Sequence, residues 1–244
     1  MKELRISSGN YDLNKFLYGG YETDIITTIY GPAGSGKTNL CILASVSQAK
    51  KRKKVIFIDT EGGFSIDRFK QISGENHEGF LKNIFLLKPS SFNEQKLAFE
   101  TLLKELKRNS NIGLVIVDGM TMLYRLELSR KRDGNKDDVL FLNKELAMQM
   151  KILAEISRKK SIPVITTNQI YYSFLSEEEW RERKPREVNL VAGDVIKYWS
   201  KCLIELKNEN GKRTLILRKH RSLPEKDMQF IITNYGIKKR GFLI

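Results

Sequence analysis

The chain has 244 residues, of which 41% are hydrophobic, so it is long enough to bury the core of one large domain. Lysine and arginine outnumber aspartate and glutamate by 43 to 29, which gives a formal net charge of +14. This excess predicts attraction to polyanions, most commonly nucleic acid, although a solvated basic surface without a specific partner fits it too. Two histidines exclude a histidine-rich metal site, and two cysteines, Cys41 and Cys202, fit a reducing compartment.

The N-terminal residues lack the apolar core of a signal peptide, and no stretch approaches the ~20 apolar residues of a membrane span. We therefore expect a soluble cytoplasmic protein. Because we find no internal repeat and no low-complexity linker, we expect residues 1–244 to form a single domain.

Short apolar runs alternate with amphipathic stretches from about residue 25 to residue 167. The predicted strands are Ile25–Tyr30, Val55–Asp59, Ile84–Leu87, Leu114–Val117 and Pro163–Thr167, and the predicted helices are Lys37–Lys50, Phe92–Arg108 and Val139–Lys160. Strands that are buried on both faces form continuous apolar runs, and their alternation with helices predicts a mostly parallel sheet. The fold class is therefore α/β, with a twisted sheet flanked by helices.

The pattern changes after Gly193. Short strands separated by turns are predicted at Cys202–Leu206, Thr214–Leu217 and Gln229–Thr233. The sequence Asn208-Glu-Asn-Gly211 between the first two is typical of a hairpin turn. We predict that these strands extend the C-terminal end of the sheet in an antiparallel arrangement.

The most specific motif is Gly31-Pro-Ala-Gly-Ser-Gly-Lys-Thr38, which matches the complete phosphate-binding P-loop pattern between a strand and a helix. The glycines let backbone N–H groups converge on phosphate oxygens at a helix N-terminus. Lys37 would neutralise the β- and γ-phosphates, and the Thr38 hydroxyl would bind Mg²⁺. The predicted ATP site comprises Gly31, Pro32, Ala33, Gly34, Ser35, Gly36, Lys37, Thr38 and Asn39.

Three polar side chains at or beyond predicted strand ends could act on this nucleotide. Asp118 ends an apolar strand, as the acid of a Walker B motif does, and would hold Mg²⁺. Glu61 could polarise an attacking water, although a surface turn would also explain it. Gln169 could sense the γ-phosphate, or could be an ordinary amide at the end of a strand.

Two segments are suited to nucleic acid. The polar segment 129–138 begins with basic residues, and the long segment 171–193 combines aromatic side chains, which can stack on bases, with basic ones. The candidate DNA-binding residues are Arg130, Lys131, Arg132, Tyr171, Tyr172, Arg181, Arg183, Lys184 and Arg186. A short exposed helix at residues 176–180, with its aromatics packed on the body, is the alternative for the second segment.

Basic clusters also occur at residues 50–54, 218–221 and 238–240. The first lies at the C-terminus of a predicted helix, where positive charge complements the helix dipole. The second ends a predicted strand near the sheet edge and could serve a partner, DNA or a neighbouring nucleotide.

Together these motifs resemble a known family. The strings at residues 13–23, 29–40, 57–61, 142–146, 167–170 and 223–225 are similar, in order, to the core of the archaeal and eukaryotic RecA-type recombinases. The resemblance covers almost the whole chain and is strongest to an archaeal paralogue of the main recombinase. It implies a RecA-like fold, ATP and Mg²⁺ as ligands, Glu61 as the catalytic glutamate beside Lys37 and Gln169, Asp118 as the Walker B acid, and Arg68 stacked on the adenine. It also assigns residues 129–138 and about 170–190 to the two DNA-binding loops.

The chain departs from the full recombinases in three respects. It begins almost directly at the core, without their N-terminal helical DNA-binding domain; it has no linker with a phenylalanine-x-x-alanine motif; and its second loop is partly acidic.

The resemblance therefore implies an accessory protein with weak ATP hydrolysis. Its expected partners are single-stranded DNA, a RadA-type recombinase and other recombination proteins, and it could form a homo-oligomer. A filament-forming recombinase and a regulatory ATPase without a role on DNA are the alternatives. Whether Lys219 or Arg221 reaches a neighbouring subunit's ATP is open at this stage.

Overall fold

A ten-stranded sheet forms the centre of the protein in a computed structural model that describes residues 4–131, 136–172 and 188–241. The strands are β1 (Arg5–Ile6), β2 (Tyr21–Glu22), β3 (Ile26–Gly31), β4 (Lys54–Asp59), β5 (Ile84–Leu87), β6 (Ile112–Asp118), β7 (Val164–Tyr172), β8 (Val188–Leu190), β9 (Cys202–Glu209), β10 (Lys212–His220), β11 (Lys226–Thr233) and β12 (Gly236–Lys239). The helices are α1 (Tyr11–Phe16), α2 (Lys37–Lys50), α3 (Ile66–Ser73), α4 (His77–Leu81), α5 (Phe92–Arg108), α6 (Met122–Arg130), α7 (Lys136–Lys160) and α8 (Gly193–Trp199).

The strand order is β12-β11-β10-β9-β3-β7-β6-β4-β5, with β8 paired to β7, while β1 and β2 form a separate small sheet. Strands β3 to β7 and β9 are parallel to their neighbours in the centre, whereas β10, β11 and β12 are added in an antiparallel arrangement. The predicted α/β class, with antiparallel strands at the C-terminal end, is confirmed.

The sheet separates two apolar layers. Side chains of α1, α2 and α3 pack on one face, and side chains of α5, α6, α7 and α8 pack on the other. Strand β6 lies between both layers, and its residues Leu114 to Val117 are completely buried. Burial on both sides explains why this strand is an uninterrupted apolar run in the sequence.

Several predicted bounds agree with the structure, since α2, α5 and β5 have the predicted limits. Strand β7 is longer than predicted, because it continues past Thr167 to Tyr172 and pairs with β8 in the register Ile170↔Leu190. The prediction that residues 171–193 are a loop throughout is therefore wrong at both ends. Aromatic residues favour strands as well as base stacking, so the two tyrosines fit either role in the sequence.

The first predicted loop is likewise shorter than residues 129–138. Ser129 and Arg130 are the last residues of α6, and α7 begins at Lys136. Within the described ranges, no helix is both long and apolar enough to cross a membrane.

The β9–β10 hairpin depends on a two-residue turn. Glu209 pairs with Lys212, and the intervening Asn210 and Gly211 have φ angles of 51° and 80°. Left-handed conformation at both positions is the geometry of a type I′ turn, which matches the right-handed twist of the strands. The predicted turn at 208–211 is confirmed.

Replacing Gly211 by alanine should lower the free energy of unfolding by about 1 kcal/mol, because an L side chain is strained at this φ. A Cβ at Gly211 would meet no atom within 4 Å, so a steric clash does not contribute. Chemical denaturation measures the effect. Gly241→Ala, which is equally open and has no left-handed φ, is the control; an equal loss in both variants would contradict the explanation.

Candidate nucleotide-binding site

The P-loop connects the end of β3 to the start of α2, as predicted. Gly34 and Gly36 have φ angles of 70° and 106°, and Gly36 caps α2 without a side-chain hydrogen bond. A Cβ at Gly31 would lie 2.2 Å from the Leu206 carbonyl oxygen, so the loop passes close to β9. No side chain at the cap accepts hydrogen bonds from the N–H groups at the start of α2. These N–H groups can therefore donate to a bound anion.

Lys37 lies at the first position of α2 and is buried. Its Nζ donates hydrogen bonds to the carbonyl oxygens of Gly31 and Pro32, both at 2.9 Å. Burial lowers the pKa of Lys37, and the nearby carboxylates of Glu61 and Asp118 oppose that shift. The ammonium group is thus held against the P-loop, where it is predicted to bind phosphate.

Asp118 ends β6, and its side chain is 1% exposed. One carboxylate oxygen accepts a hydrogen bond of 2.7 Å from the Thr38 hydroxyl, and the other accepts one of 2.5 Å from the Thr167 hydroxyl. Burial raises the pKa of Asp118 to about 6, although both hydroxyls lower it. The two residues predicted to hold Mg²⁺, Thr38 and Asp118, are therefore in direct contact, and hard oxygen atoms are the donors that Mg²⁺ prefers.

Glu61 and Gln169 are brought together across the carboxyl ends of the strands. Gln169 Nε2 donates a hydrogen bond of 3.0 Å to Glu61 Oε2, while Glu61 Oε1 is buried and has no hydrogen-bond partner among the described residues. Gln169 also lies beside Gly31 in the β3–β7 register. It is a strand residue of β7, so the prediction that it lies just beyond a strand is wrong.

Sequence reasoning missed the residues that hold this arrangement. Asp59 accepts backbone hydrogen bonds of 3.0 Å from both Gly63 and Phe64, which fixes the turn that carries Glu61. Thr60 donates to the carbonyl oxygens of Asp118 and Gly119. Asp59 ends β4 and Thr60 follows it, and this position at the end of a buried strand is the signal that the sequence offers.

Gly119 is required where β4 and β6 end side by side. Its φ is 86°, and a Cβ would lie 2.4 Å from Thr60 Oγ1 and 2.6 Å from Glu61 Cγ. Any larger residue would therefore displace Glu61 from its position above the strand ends.

Arg68 and Asn39 lie on the side of the P-loop near the C-terminal strands. Arg68 Nε donates to Asn39 Oδ1 at 2.7 Å, and the guanidinium also donates to the carbonyl oxygens of Thr233 and Gly236. These contacts use the edge of the guanidinium, so a nucleobase would have to stack on its flat face. Stacking of Arg68 on adenine stays a prediction.

The predicted DNA segments approach one another at a cavity of about 330 Å³. Tyr124, Arg125 and Ser129 of α6 line one side, and Tyr171 of β7 lines the other. Tyr171 is 43% exposed, and Arg130 at the end of α6 is exposed beside Glu127.

The remaining DNA-binding candidates do not line this cavity among the described residues. Lys131 forms an ion pair of 3.0 Å with Asp138, and Tyr172 is described only as a backbone position of β7. The candidates Arg132, Arg181, Arg183, Lys184 and Arg186 lie outside the described residues.

Lys219 and Arg221 are engaged within their own chain. Lys219 Nζ donates to the Lys197 carbonyl oxygen at 2.8 Å, and Arg221 forms two hydrogen bonds of 2.6 and 2.7 Å with Asp24. A further ion pair of 2.7 Å joins Arg221 to Glu22. Lys219 belongs to β10, and Arg221 directly follows that strand. Strand β10 is an inner strand, since β12 forms the C-terminal edge of the sheet.

Comparison with known proteins places these features in a family. The Rad51 family model matches residues 1–240. The chain is 39% identical to the DNA repair and recombination protein RadB of Methanobrevibacter smithii, over 93% of each chain. It is also 39% identical to the protein of the same name from Methanococcoides burtonii, over 98% of this chain and 99% of the relative. The crystal structure of a RadB recombinase superposes with a TM-score of 0.74, at 33% identity, over 95% of this chain and 98% of the other. The sequence-based resemblance to an archaeal recombinase paralogue and the RecA-like fold are both confirmed.

We expect the substitution Asp118→Asn to stabilise the protein at neutral pH in the absence of nucleotide and Mg²⁺. The folded-state pKa is raised, so the folded protein binds this proton more readily, and stability falls as pH rises from the unfolded value to about 6. The shift corresponds to at most about 3 kcal/mol. An amide avoids this cost because it carries no charge.

Thermal unfolding in a chelating buffer across a pH series measures the difference. The variant should unfold at a higher temperature than the wild type above pH 6, and the advantage should shrink as pH falls below that value. Asp227→Asn, an exposed substitution, is the control. A variant less stable than the wild type at neutral pH would contradict this account of Asp118.

Proposed function

This chain belongs to the Rad51 family of DNA repair and recombination proteins, and on that basis we propose that it is an ATP-binding accessory factor of homologous recombination. In this proposal the protein binds single-stranded DNA, assists the main recombinase and uses ATP chiefly as a conformational switch. Hydrolysis is slow.

The geometry of the P-loop supports ATP and Mg²⁺ as ligands. Lys37 would exchange the carbonyl oxygens of Gly31 and Pro32 for phosphate oxygens, which carry more negative charge. Thr38 and Asp118 offer two oxygen ligands, and no group of three or more His, Cys, Asp or Glu side chains suited to a metal occurs among residues 4–131, 136–172 and 188–241. A Mg²⁺ held here would therefore take its remaining ligands from the phosphates and from water, as this ion usually does.

The hydrogen bond between Glu61 and Gln169 is the observation that carries the proposal. In this proposal Glu61 polarises a water at the γ-phosphate, and its Oε1, which has no hydrogen-bond partner among the described residues, would accept a hydrogen bond from that water. Gln169 shares strand β7 with Tyr171, which is two residues further along and lines the cavity beside α6. A change in the contacts of Glu61 on nucleotide binding would thus reach the predicted DNA-binding segment through one strand.

Single-stranded DNA is the favoured nucleic acid at this edge. The exposed ring of Tyr171 can stack on a base, and Arg125 on the opposite wall of the cavity can contact phosphate. The formal net charge of +14 favours association with any nucleic acid. The name shared by the relatives, DNA repair and recombination protein, supports a role in the same process.

Slow hydrolysis is proposed because the two candidate cations for a neighbouring nucleotide are neutralised or held in their own chain. Arg221 is bound by both Asp24 and Glu22, and Lys219 by a backbone carbonyl. A second positive charge at the γ-phosphate accelerates phosphoryl transfer by several orders of magnitude in other ATPases and GTPases, about 10³- to 10⁵-fold. Without this second charge, ATP would stay bound for a long time before it is hydrolysed. The bound ATP could then act as a signal.

The substitutions Lys37→Ala and Glu61→Gln should separate these roles. Lys37→Ala should abolish ATP-dependent changes in affinity for single-stranded DNA, because the phosphates lose their main cation. Glu61→Gln should reduce an already slow turnover while ATP binding persists. ATP hydrolysis and DNA binding are measured on the same preparations, with and without oligo(dT), and Glu100→Gln on the exposed face of α5 is the control.

Two results would overturn the proposal in different directions. If oligo(dT) raises turnover many-fold and Glu61→Gln abolishes it, the protein is a working recombinase motor. If ATP binds but the protein has no affinity for DNA at any salt concentration, it is a regulatory ATPase.

A further inference from the structure

The edge of the sheet opposite the P-loop is strongly basic. Strands β4, β6 and β7 begin there, and the helices that precede them, α2, α5 and α7, end there. The exposed basic residues at these helix ends and in the following turn, here called the basic edge, are Lys50, Lys51, Arg52, Lys53, Lys54, Lys107, Arg108, Arg158, Lys159 and Lys160. Basic residues in a last helical turn complement the helix dipole. That effect does not explain Lys51 to Lys54, which follow α2.

The turn after α2 is strained. Arg52 has a φ of 60°, and the Arg52 and Lys53 N–H groups donate to the carbonyl oxygens of Ala49 and Gln48. Glycine is the usual residue in a left-handed position after a helix, and another residue costs about 1 kcal/mol there. Ser161 occupies the same kind of position after α7, with a φ of 53°. A charged residue thus occupies a position that glycine would occupy with less strain.

A cavity of about 180 Å³ lies within the basic edge. Lys51 and Lys53 from one turn and Lys160 from the end of α7 line it, together with Gln48 of α2. Gln48 is 2% exposed, and its Nε2 has no hydrogen-bond partner in the described part of the chain. A buried donor of this kind is satisfied when a ligand supplies an acceptor. Three ammonium groups and an amide donor are suited to the oxygens of a phosphate group.

The carboxylates that pair with residues of the basic edge offset only part of its charge. Glu155 pairs with Lys159 at 2.9 Å, and Glu105 lies 3.9 Å from Arg108. Asp24 is bound to Arg221. None of these three acids lines the cavity, and the charged residues that do line it are Lys51, Lys53 and Lys160.

We propose that the basic edge binds the phosphate backbone of duplex DNA, with one phosphate received by the cavity between Lys51, Lys53 and Lys160. A duplex is favoured over a single strand because no described aromatic side chain lines this cavity, whereas single-strand sites combine basic groups with stacking platforms. Lysines that contact phosphates hold the backbone and read no base sequence. The duplex site is separate from the cavity of Tyr171, so one molecule can hold a duplex and a single strand together.

The triple substitution Lys51→Gln, Lys53→Gln and Lys160→Gln tests this site. Binding of a fluorescent blunt duplex is measured across a salt series, with saturating unlabelled oligo(dT) present to occupy any single-strand site. Affinity for the duplex should fall about 10-fold or more, and the slope of log K against log salt should become shallower by about 1, because the one phosphate held between the three lysines is no longer neutralised. ATP binding and thermal stability should be unchanged.

A matched control variant loses the same number of positive charges at sites away from the basic edge. Lys15, Lys144 and Lys238 are exposed lysines away from the basic edge, and their triple substitution to glutamine should change duplex affinity less than twofold. Equal losses in the two triple variants would overturn the proposal, since the effect would then report net charge alone. Failure of oligo(dT) to bind would count against the proposed function and leave the duplex measurement intact.

Crosslinking locates the duplex directly. Cys41 and Cys202 are buried, so a photoreactive maleimide can be placed selectively on Lys53→Cys or, as the control, on Lys238→Cys. The duplex should crosslink through position 53 and not through position 238. If the glutamine triple variant instead loses binding to phosphatidylglycerol vesicles and retains duplex binding, the basic edge recognises anionic membranes and the proposal is wrong.

Discussion

A buried carboxylate joins the parts of this molecule that carry its chemistry. Asp118 accepts hydrogen bonds from Thr38 at the start of α2 and from Thr167 in β7, so it connects the P-loop helix to two central strands. Moving this charge out of water is costly, and the raised pKa of Asp118 reports that cost. The charge thus lies at a position where we expect a neutral residue to be more stable. Such a trade of stability for chemistry is typical of a functional site.

The Asp118 contacts also determine where the remaining groups lie. Thr167 fixes the register of β7 at the end of β6, because its hydroxyl also accepts the Gly119 N–H at 2.7 Å. Gln169 follows two residues later on the same side of the strand and meets Glu61, whose turn is held by Asp59. The pair that could respond to the γ-phosphate is therefore positioned by the same buried carboxylate that would hold the metal.

Much of this arrangement could be predicted from the sequence. The P-loop, Asp118 and the limits of α2 depend on local patterns: a glycine-rich turn, an apolar run that ends in an acid, and helical periodicity. Contacts between distant residues could not be predicted, because they depend on strand register. Gln169 is a sequence-based candidate for sensing the γ-phosphate, but its hydrogen bond to Glu61, like that of Thr167 to Asp118, follows only from the register. Strand β8 is three residues long and owes its structure to pairing with β7, so it has no periodic signal of its own.

The two edges of the sheet suggest a division of labour. The carboxyl edge carries the nucleotide site and the tyrosine cavity, and these are connected by strand β7. The amino edge carries lysines and a buried amide, without aromatic side chains around its cavity. Because the helices of an α/β fold run back between these edges, their basic C-termini collect at the second edge as a consequence of topology. The strained Arg52 turn adds charge beyond what that topology provides.

Hydrogen exchange tests most directly whether the nucleotide site and the β7–β8 pair are coupled. Amide exchange of Ile170, Tyr171 and Leu190 would be compared between a non-hydrolysable ATP analogue and ADP, each with Mg²⁺. The comparison would be made in the wild type, in Gln169→Ala and in the exposed control Gln229→Ala. The account predicts a several-fold difference in protection between the two nucleotides in the wild type and the control, and none in Gln169→Ala, with analogue binding retained. An unchanged difference in Gln169→Ala, or no difference in the wild type, would contradict it.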